Sequence, residues 1–302
     1  MNGLSELLAY CERTGCAAAQ KEPMSKHTSF QIGGPADLFL RPRDAAQAAG
    51  VIREAKRLDV PVLYIGRGSD LLVSDGGIRG AVLSLDEAAA KPRLVEEGVV
   101  ECPAGASLSA LCLFAQRRGL SGLEFAYGIP GSVGGAVYMN AGAYGGEMKD
   151  VLERVSYLDG EGTEHTLGAQ ALELSYRKSW FTGRPDCLIT GARFRLAPGD
   201  PEAIRARMEE LMARRREKQP LEYPSAGSTF KRPEGSYASL LIDQCGLKGL
   251  RVGGAMVSEK HAGFLINYDH ATCEDVKALV ALVQKEVRER TGYVLECEIK
   301  LL

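Results

Sequence analysis

Two glycine-rich stretches have the composition of a surface for a phosphorylated ligand. Gly128-Ile129-Pro130-Gly131-Ser132-Val133-Gly134-Gly135-Ala136 puts four glycines, a proline and a serine into nine residues, which makes a poor core and a poor helix. It suits a loop that wraps a diphosphate with main-chain N–H donors and ends at a helix N-terminus. Asn140-Ala141-Gly142-Ala143-Tyr144-Gly145-Gly146 continues the small-residue surface, against which a planar ring can lie close to the backbone. Earlier in the chain, Gly66-Arg67-Gly68-Ser69-Asp70 follows an apolar run and offers a similar nest of N–H groups. It lacks the full G-x-G-x-x-G spacing and runs into Leu71-Leu72-Val73 instead of a helix, so an ordinary Rossmann dinucleotide site is disfavoured. A tight strand-to-strand turn is an equal reading of that stretch.

Three single side chains carry chemistry only if their surroundings supply it. Ser228, in Ala226-Gly227-Ser228-Thr229-Phe230-Lys231, reads on spacing alone as a turn former or helix cap. A neutral hydroxyl becomes a general acid only when neighbours position and polarise it. Arg177, in Ser175-Tyr176-Arg177-Lys178-Ser179 before the only tryptophan, Trp180, fits a solvated basic turn. Near the end of the chain Tyr293, Leu295, Cys297, Ile299 and Leu301 alternate onto an apolar face and leave Glu296, Glu298 and Lys300 on a wet one. Lys218 closes a basic helix, where it favours the negative helix end. The four histidines form no close pair, and the eight cysteines show neither a C-x-x-C pair nor a histidine at metal-ligand spacing. They read as reduced thiols of a cytosolic protein with no structural metal.

The elements that must hold these residues follow from periodicity and punctuation. Met1 to Gln20 reads as a short amphipathic helix rather than a signal peptide. A helix from an Asp44 cap to Leu58 feeds an apolar strand, Val60 to Ile65, and a second helix runs from a Ser107 cap to Arg118. Pro198, Gly199 and Pro201 mark a boundary, giving expected domains of 1–197 and 198–302. The second begins with a charged helix, Pro201 to Lys218, followed by a polar loop from Tyr223 to Lys231. A helix from Tyr237 to Cys245, short strands around Val252 and Phe264, a helix from Cys273 to Arg290 and a strand from Tyr293 to Leu302 complete an α+β arrangement.

With 302 residues, 45% of them hydrophobic and 25% charged, the chain has roughly a two-domain length and ample core material. A formal net charge of -2 supplies no basic field for nucleic acid, and no run approaches the roughly 18 apolar residues of a membrane span.

Gly66 to Leu72, Gly122 to Ala136 and Met139 to Gly146 resemble the FAD-binding half of the UDP-N-acetylenolpyruvoylglucosamine reductase family. That half is of the vanillyl-alcohol-oxidase and p-cresol-methylhydroxylase (PCMH) type. The similarity runs from about Thr28 to Leu302 and includes Ile32-Gly33-Gly34 and Ala226 to Lys231. It implies an FAD-binding domain followed by a smaller α+β substrate domain, non-covalent FAD, NADPH as electron donor and a UDP-sugar substrate, with no obligate protein partner. Flavin contacts are implied for Gly66, Arg67, Gly68, Ser69, Asp70 and Leu71, and for Gly128, Ile129, Pro130, Gly131, Ser132, Gly134, Gly135, Ala136, Asn140 and Ala141. Hydride would come from the reduced flavin N5 and the proton from Ser228. Arg177 would hold the substrate carboxylate, Glu298 would act with it on the enol intermediate, and Lys218 would meet the UDP diphosphate. Asp70 and Lys300 depart from the family, which usually has asparagine and more often arginine there. The short Trp180 to Cys187 segment matches the branch lacking a tyrosine-bearing insertion over the substrate. An FAD-dependent alcohol oxidase of the same superfamily, or a non-catalytic UDP-sugar sensor, are the alternatives. Such oxidases often carry a histidine in the first glycine loop, which Gly66 to Leu72 lacks.

Overall fold

Capping chemistry sets the helix ends in the first half of the chain. In the computed structural model, which describes residues 3–302, Gly3–Thr14 (α1) is followed by Ala45–Arg57 (α2), where Asp44 Oδ1 accepts from Gln47 N at 2.8 Å. Ser107 Oγ accepts from Ala110 N to start Leu108–Arg117 (α3), and Gly119, at φ +64°, turns the chain away after it. The expected helix over residues 1–20 is shorter, because Ala17–Pro23 is a strand; Met1 and Asn2 lie outside the described residues.

Packing divides the chain into two units, and α+β holds for each. The first comprises residues 3–21, Asp37–Arg67 and Arg79–Ala213. One of its sheets runs in the order Ala17–Pro23, Pro35–Arg41, Ile78–Leu83, Val62–Tyr64, with the last two strands parallel. Leu38, Leu40 and Leu83 pack on Leu7, Cys11, Val51 and Ile52 of α1 and α2. The other sheet is antiparallel, in the order Glu164–Gly168, Leu152–Leu158, Leu188–Arg195, Val99–Pro103, Arg93–Glu96. Its apolar face buries α3 and a short helix, Val133–Tyr138 (α4).

The second unit comprises Glu22–Ala36, Gly68–Ile78 and Arg214–Leu302. The division therefore falls inside Pro201–Lys218 (α5) and not at 197/198, and two earlier segments belong with the C-terminal part. The physical reason is burial: Phe30, Ile32 and Leu72 share a core with Leu241, Ile242, Leu265, Val276, Val283 and Ile299. The sheet order is Ser225–Ser228, Phe264–Asn267, Ala255–Val257, Arg251–Val252, all antiparallel, covered by Ala238–Gln244 (α6) and Cys273–Thr291 (α7). The first three N–H groups of α7 are all satisfied: Thr272 Oγ1 accepts from Asp275 N, and the Asp75 carboxylate accepts from Cys273 N and Glu274 N. Asp75 thereby anchors the Gly68–Ile78 segment.

Two expectations fail here. The polar loop from Tyr223 to Lys231 contains a strand, Ser225–Ser228. The strand over 293–302 is paired only at Lys300–Leu301, parallel to Leu71–Leu72, and at an isolated bridge from Cys297 to Phe230. The alternation recorded burial of Leu295 and Ile299, not continuous pairing, and Leu301 is exposed.

Candidate active site

In the first unit Gly66 meets the 128–136 stretch. A β-carbon built on Gly66 would lie 2.3 Å from Ser132 Oγ, so a side chain there would have to displace that hydroxyl. Ser132 Oγ accepts from Gly135 N at 3.2 Å and caps α4. Several donors of the stretch are used internally: Ile129 N to Ala126 O, Val133 N to Ala106 O, Gly134 N to Ala104 O and Ala136 N to Ser132 O. Among the described residues, the N–H groups of Gly131 and Ser132 have no acceptor within the chain. Gly128 and Gly131 are half-buried beside exposed Pro130. Glycine-rich backbone strips with open N–H donors fit a diphosphate and an adjoining flat ring.

Other expected flavin contacts have structural uses. Ala136 is buried in the core, Ile129 and Ala141 pack against it, and a β-carbon on Gly134 would stand 2.9 Å from Ala104 Cβ. The Arg67 guanidinium is exposed and pairs with Glu87 at 2.6 Å. Asn140 is 1% exposed, and its amide is committed inside the unit: Nδ2 donates to Glu147 Oε2 (2.8 Å) and Ser175 O (3.1 Å), while Oδ1 accepts from Lys149 N (3.0 Å).

Arg177 sits on a tight reversal. Ser175 and Lys178 exchange N–H to carbonyl bonds of 3.1 Å each, and Arg177 between them has φ +55°. A left-handed conformation costs a residue with a β-carbon roughly 1–2 kcal/mol, so its surroundings must hold it. The guanidinium carbon lies 5.0 Å from the Tyr176 ring centroid. The Lys149 ammonium, then Asn140 and the positive charge of Arg177 hold the Glu147 carboxyl below its ordinary range.

The second unit collects Gly68 to Leu71, Lys218, Ser228 and Glu298. Gly68 has φ +62°, and a β-carbon there would lie 2.1 Å from His27 O. Ser69, Asp70 and Leu71 are half-buried, and Lys300 N donates to Asp70 O at 2.9 Å. Ser228 pairs with Phe264 across a register shift that starts at Ser225, with Gly227 at φ +76° inside the shift. This bulge inserts a residue, so Ala226 and Thr229 are buried while Ser228 turns to the exposed side. Thr229 O accepts from Glu298 N, and Glu296 O accepts from Lys231 N, both at 2.8 Å. Ser228 and Glu298 therefore stand on neighbouring, mutually bonded backbone segments, and Lys300, two residues on, is bonded to the first glycine loop. Lys218 is exposed at the end of α5. Sequence reasoning missed the bulge, although a glycine inside a strand-like run signals one, and it missed the Asn140 network, which no local pattern signals.

Proteins similar to this chain carry a consistent description. Residues 219–302 match the family described as UDP-N-acetylenolpyruvoylglucosamine reductase, C-terminal domain, and residues 36–168 match the FAD binding domain family. The UDP-N-acetylenolpyruvoylglucosamine reductase of Lachnoclostridium phytofermentans is 49% identical over 294 residues, 96% of this chain and 93% of that protein. That of Clostridium novyi is 47% identical over 92% of this chain and 90% of its own length. The crystal structure of UDP-N-acetylenolpyruvylglucosamine reductase (MurB) from Thermus caldophilus superposes with a TM-score of 0.80 at 36% identity, covering 95% of this chain and 98% of that one.

Proposed function

The chain belongs to the UDP-N-acetylenolpyruvoylglucosamine reductase family, and we propose that it reduces the enolpyruvyl ether of UDP-N-acetylglucosamine to UDP-N-acetylmuramate, a peptidoglycan precursor, using FAD and NADPH. Bound FAD would supply the hydride chemistry that links NADPH to the enolpyruvyl group. The chain supplies binding, orientation and charge. The Gly66 and Gly128–Ala136 backbone would hold the FAD diphosphate, with Gly131 N and Ser132 N as open donors.

Arg177 takes the substrate carboxylate, because a planar two-pronged donor matches it and stabilises negative charge building up beside the reacting carbon. The Ser228 hydroxyl gives its proton to the carbon next to the one reduced, with Glu298 acting beside it and Lys218 reaching the UDP diphosphate. The observation that carries this reading is the bulge at Gly227, which turns Ser228 outward on the segment bonded to Glu298. The reaction is placed in the cytoplasm; no helix among the described residues is long and apolar enough to cross a membrane.

Anaerobic stopped-flow absorbance tests the proposal. The flavin should bleach with NADPH and recover its colour with the enolpyruvyl substrate. Bleaching without recovery would sink the substrate assignment, and no reaction with NADPH would favour a non-catalytic UDP-sugar binder.

A further inference from the structure

The left-handed backbone at Arg177 has to be maintained by something other than its own preference. Two side-chain tethers reach the turn that carries it, one at each end. Asn140 Nδ2 donates to Ser175 O at 3.1 Å, two residues before Arg177, and Ser179 Oγ donates to Tyr138 O at 2.7 Å, two residues after it. Both tethering residues are buried, and both tethers end on the segment that closes the glycine-rich stretch, at Tyr138 and Asn140. Asn140 is itself held at φ +41°. Its second N–H bond goes to Glu147 Oε2, which also accepts from Lys149 Nζ at 3.0 Å, and its carbonyl is fixed by Lys149 N. A fully used amide of this kind has one orientation available and transmits it to its partners.

We propose that Asn140, seconded by Ser179, is a positioning residue for Arg177: it locks the Ser175–Lys178 reversal onto the glycine-rich segment and so fixes where the guanidinium meets the substrate carboxylate. This rests on Arg177 being the carboxylate clamp. It assigns Asn140 to the substrate side of the reaction in place of a side-chain contact with FAD.

The test is a double-mutant cycle on the holoenzyme, with Asn140→Ala, Arg177→Ala and the pair. Reoxidation of the reduced enzyme by the enolpyruvyl substrate should slow about tenfold to a hundredfold in Asn140→Ala, the range expected when a reacting group is misplaced by about an ångström. The double variant should be no slower than Arg177→Ala alone, because Asn140 acts only through that residue. Calorimetry should find the UDP-sugar bound more weakly by Asn140→Ala, while its visible spectrum and FAD content match the parent. Independent, multiplying losses, or loss of FAD from Asn140→Ala, overturn the proposal. If Arg177→Ala itself reoxidises normally, the clamp reading fails first and takes this one with it. Should Asn140→Ala not fold, Ser179→Ala cuts the second tether and must show the same non-additivity; additive loss there overturns the proposal equally.

Discussion

At the level of single residues, Arg177 and Ser228 are asked for different things, and substitution separates them. Arg177→Lys keeps the charge but loses the paired donors. Substrate turnover should fall at least about tenfold, yet less than the roughly 100- to 1000-fold typical of losing an oxyanion-type donor outright. Steady-state rates check this, and near-normal turnover would mean that Arg177 does not clamp the carboxylate. On the proposed reading, Ser228→Ala removes a proton donor that has no task while NADPH reduces the enzyme. That first half-reaction should survive, and the second should slow by about 100- to 10,000-fold, the usual contribution of general acid catalysis. Equal slowing of both would make Ser228 a structural loop residue. The residue types at these positions were legible in the sequence, but the conditions that give them chemistry were not. Nothing local says that Ser228 faces outward, that Glu298 N bonds Thr229 O, or that Asn140 spends its amide on Glu147 and Ser175. Apart from the bond to nearby Glu147, those are contacts between distant parts of the chain.

At the level of elements, helix ends were readable because capping is a conversation between residues two or three apart. Asp44, Ser107 and Pro201 mark the starts of α2, α3 and α5 where side-chain chemistry demands. Strands were read less well. Periodicity in 293–302 reported which side chains are buried, whereas pairing there depends on Leu71–Leu72 and Phe230. The Gly227 bulge turns this into a prediction. A β-carbon on Gly227 has nothing within 4 Å, so Gly227→Ala is free of clashes and is opposed only by its φ of +76°. Left-handed backbone costs alanine about 1 kcal/mol more than glycine. Urea denaturation should detect a loss of that size if the bulge persists. If the chain instead relieves the strain by shifting register, Ser228 turns toward the buried side and substrate reoxidation falls together with stability. A variant with parental stability and parental turnover would show that the bulge does not set the orientation of Ser228.

At the level of the whole molecule, the sequence is organised around a cofactor that only the folded chain can hold. The two strips that meet at Gly66 and Ser132 come from residues 66 positions apart, so the unfolded chain offers no equivalent surface. FAD must therefore stabilise the native state by mass action: at a hundredfold excess over its dissociation constant it adds about 2.7 kcal/mol. The stretch from Gly66 to Leu72 contains no histidine, and if the flavin is held without a covalent bond, the unfolding that destroys the surface frees the cofactor. The protein should purify yellow, lose its colour to the supernatant on mild denaturation and melt at a higher temperature as FAD is added back. Gly66→Ala should weaken all three responses, since its new methyl group must displace Ser132 Oγ, lying 2.3 Å away, from the position in which it caps α4. Losing such a cap costs about 1 kcal/mol, which the FAD-free variant should show relative to the FAD-free parent. A colourless parent that cannot be reconstituted would remove FAD from the account, and flavin that stays with the denatured chain would point to the covalent chemistry of the alcohol oxidases.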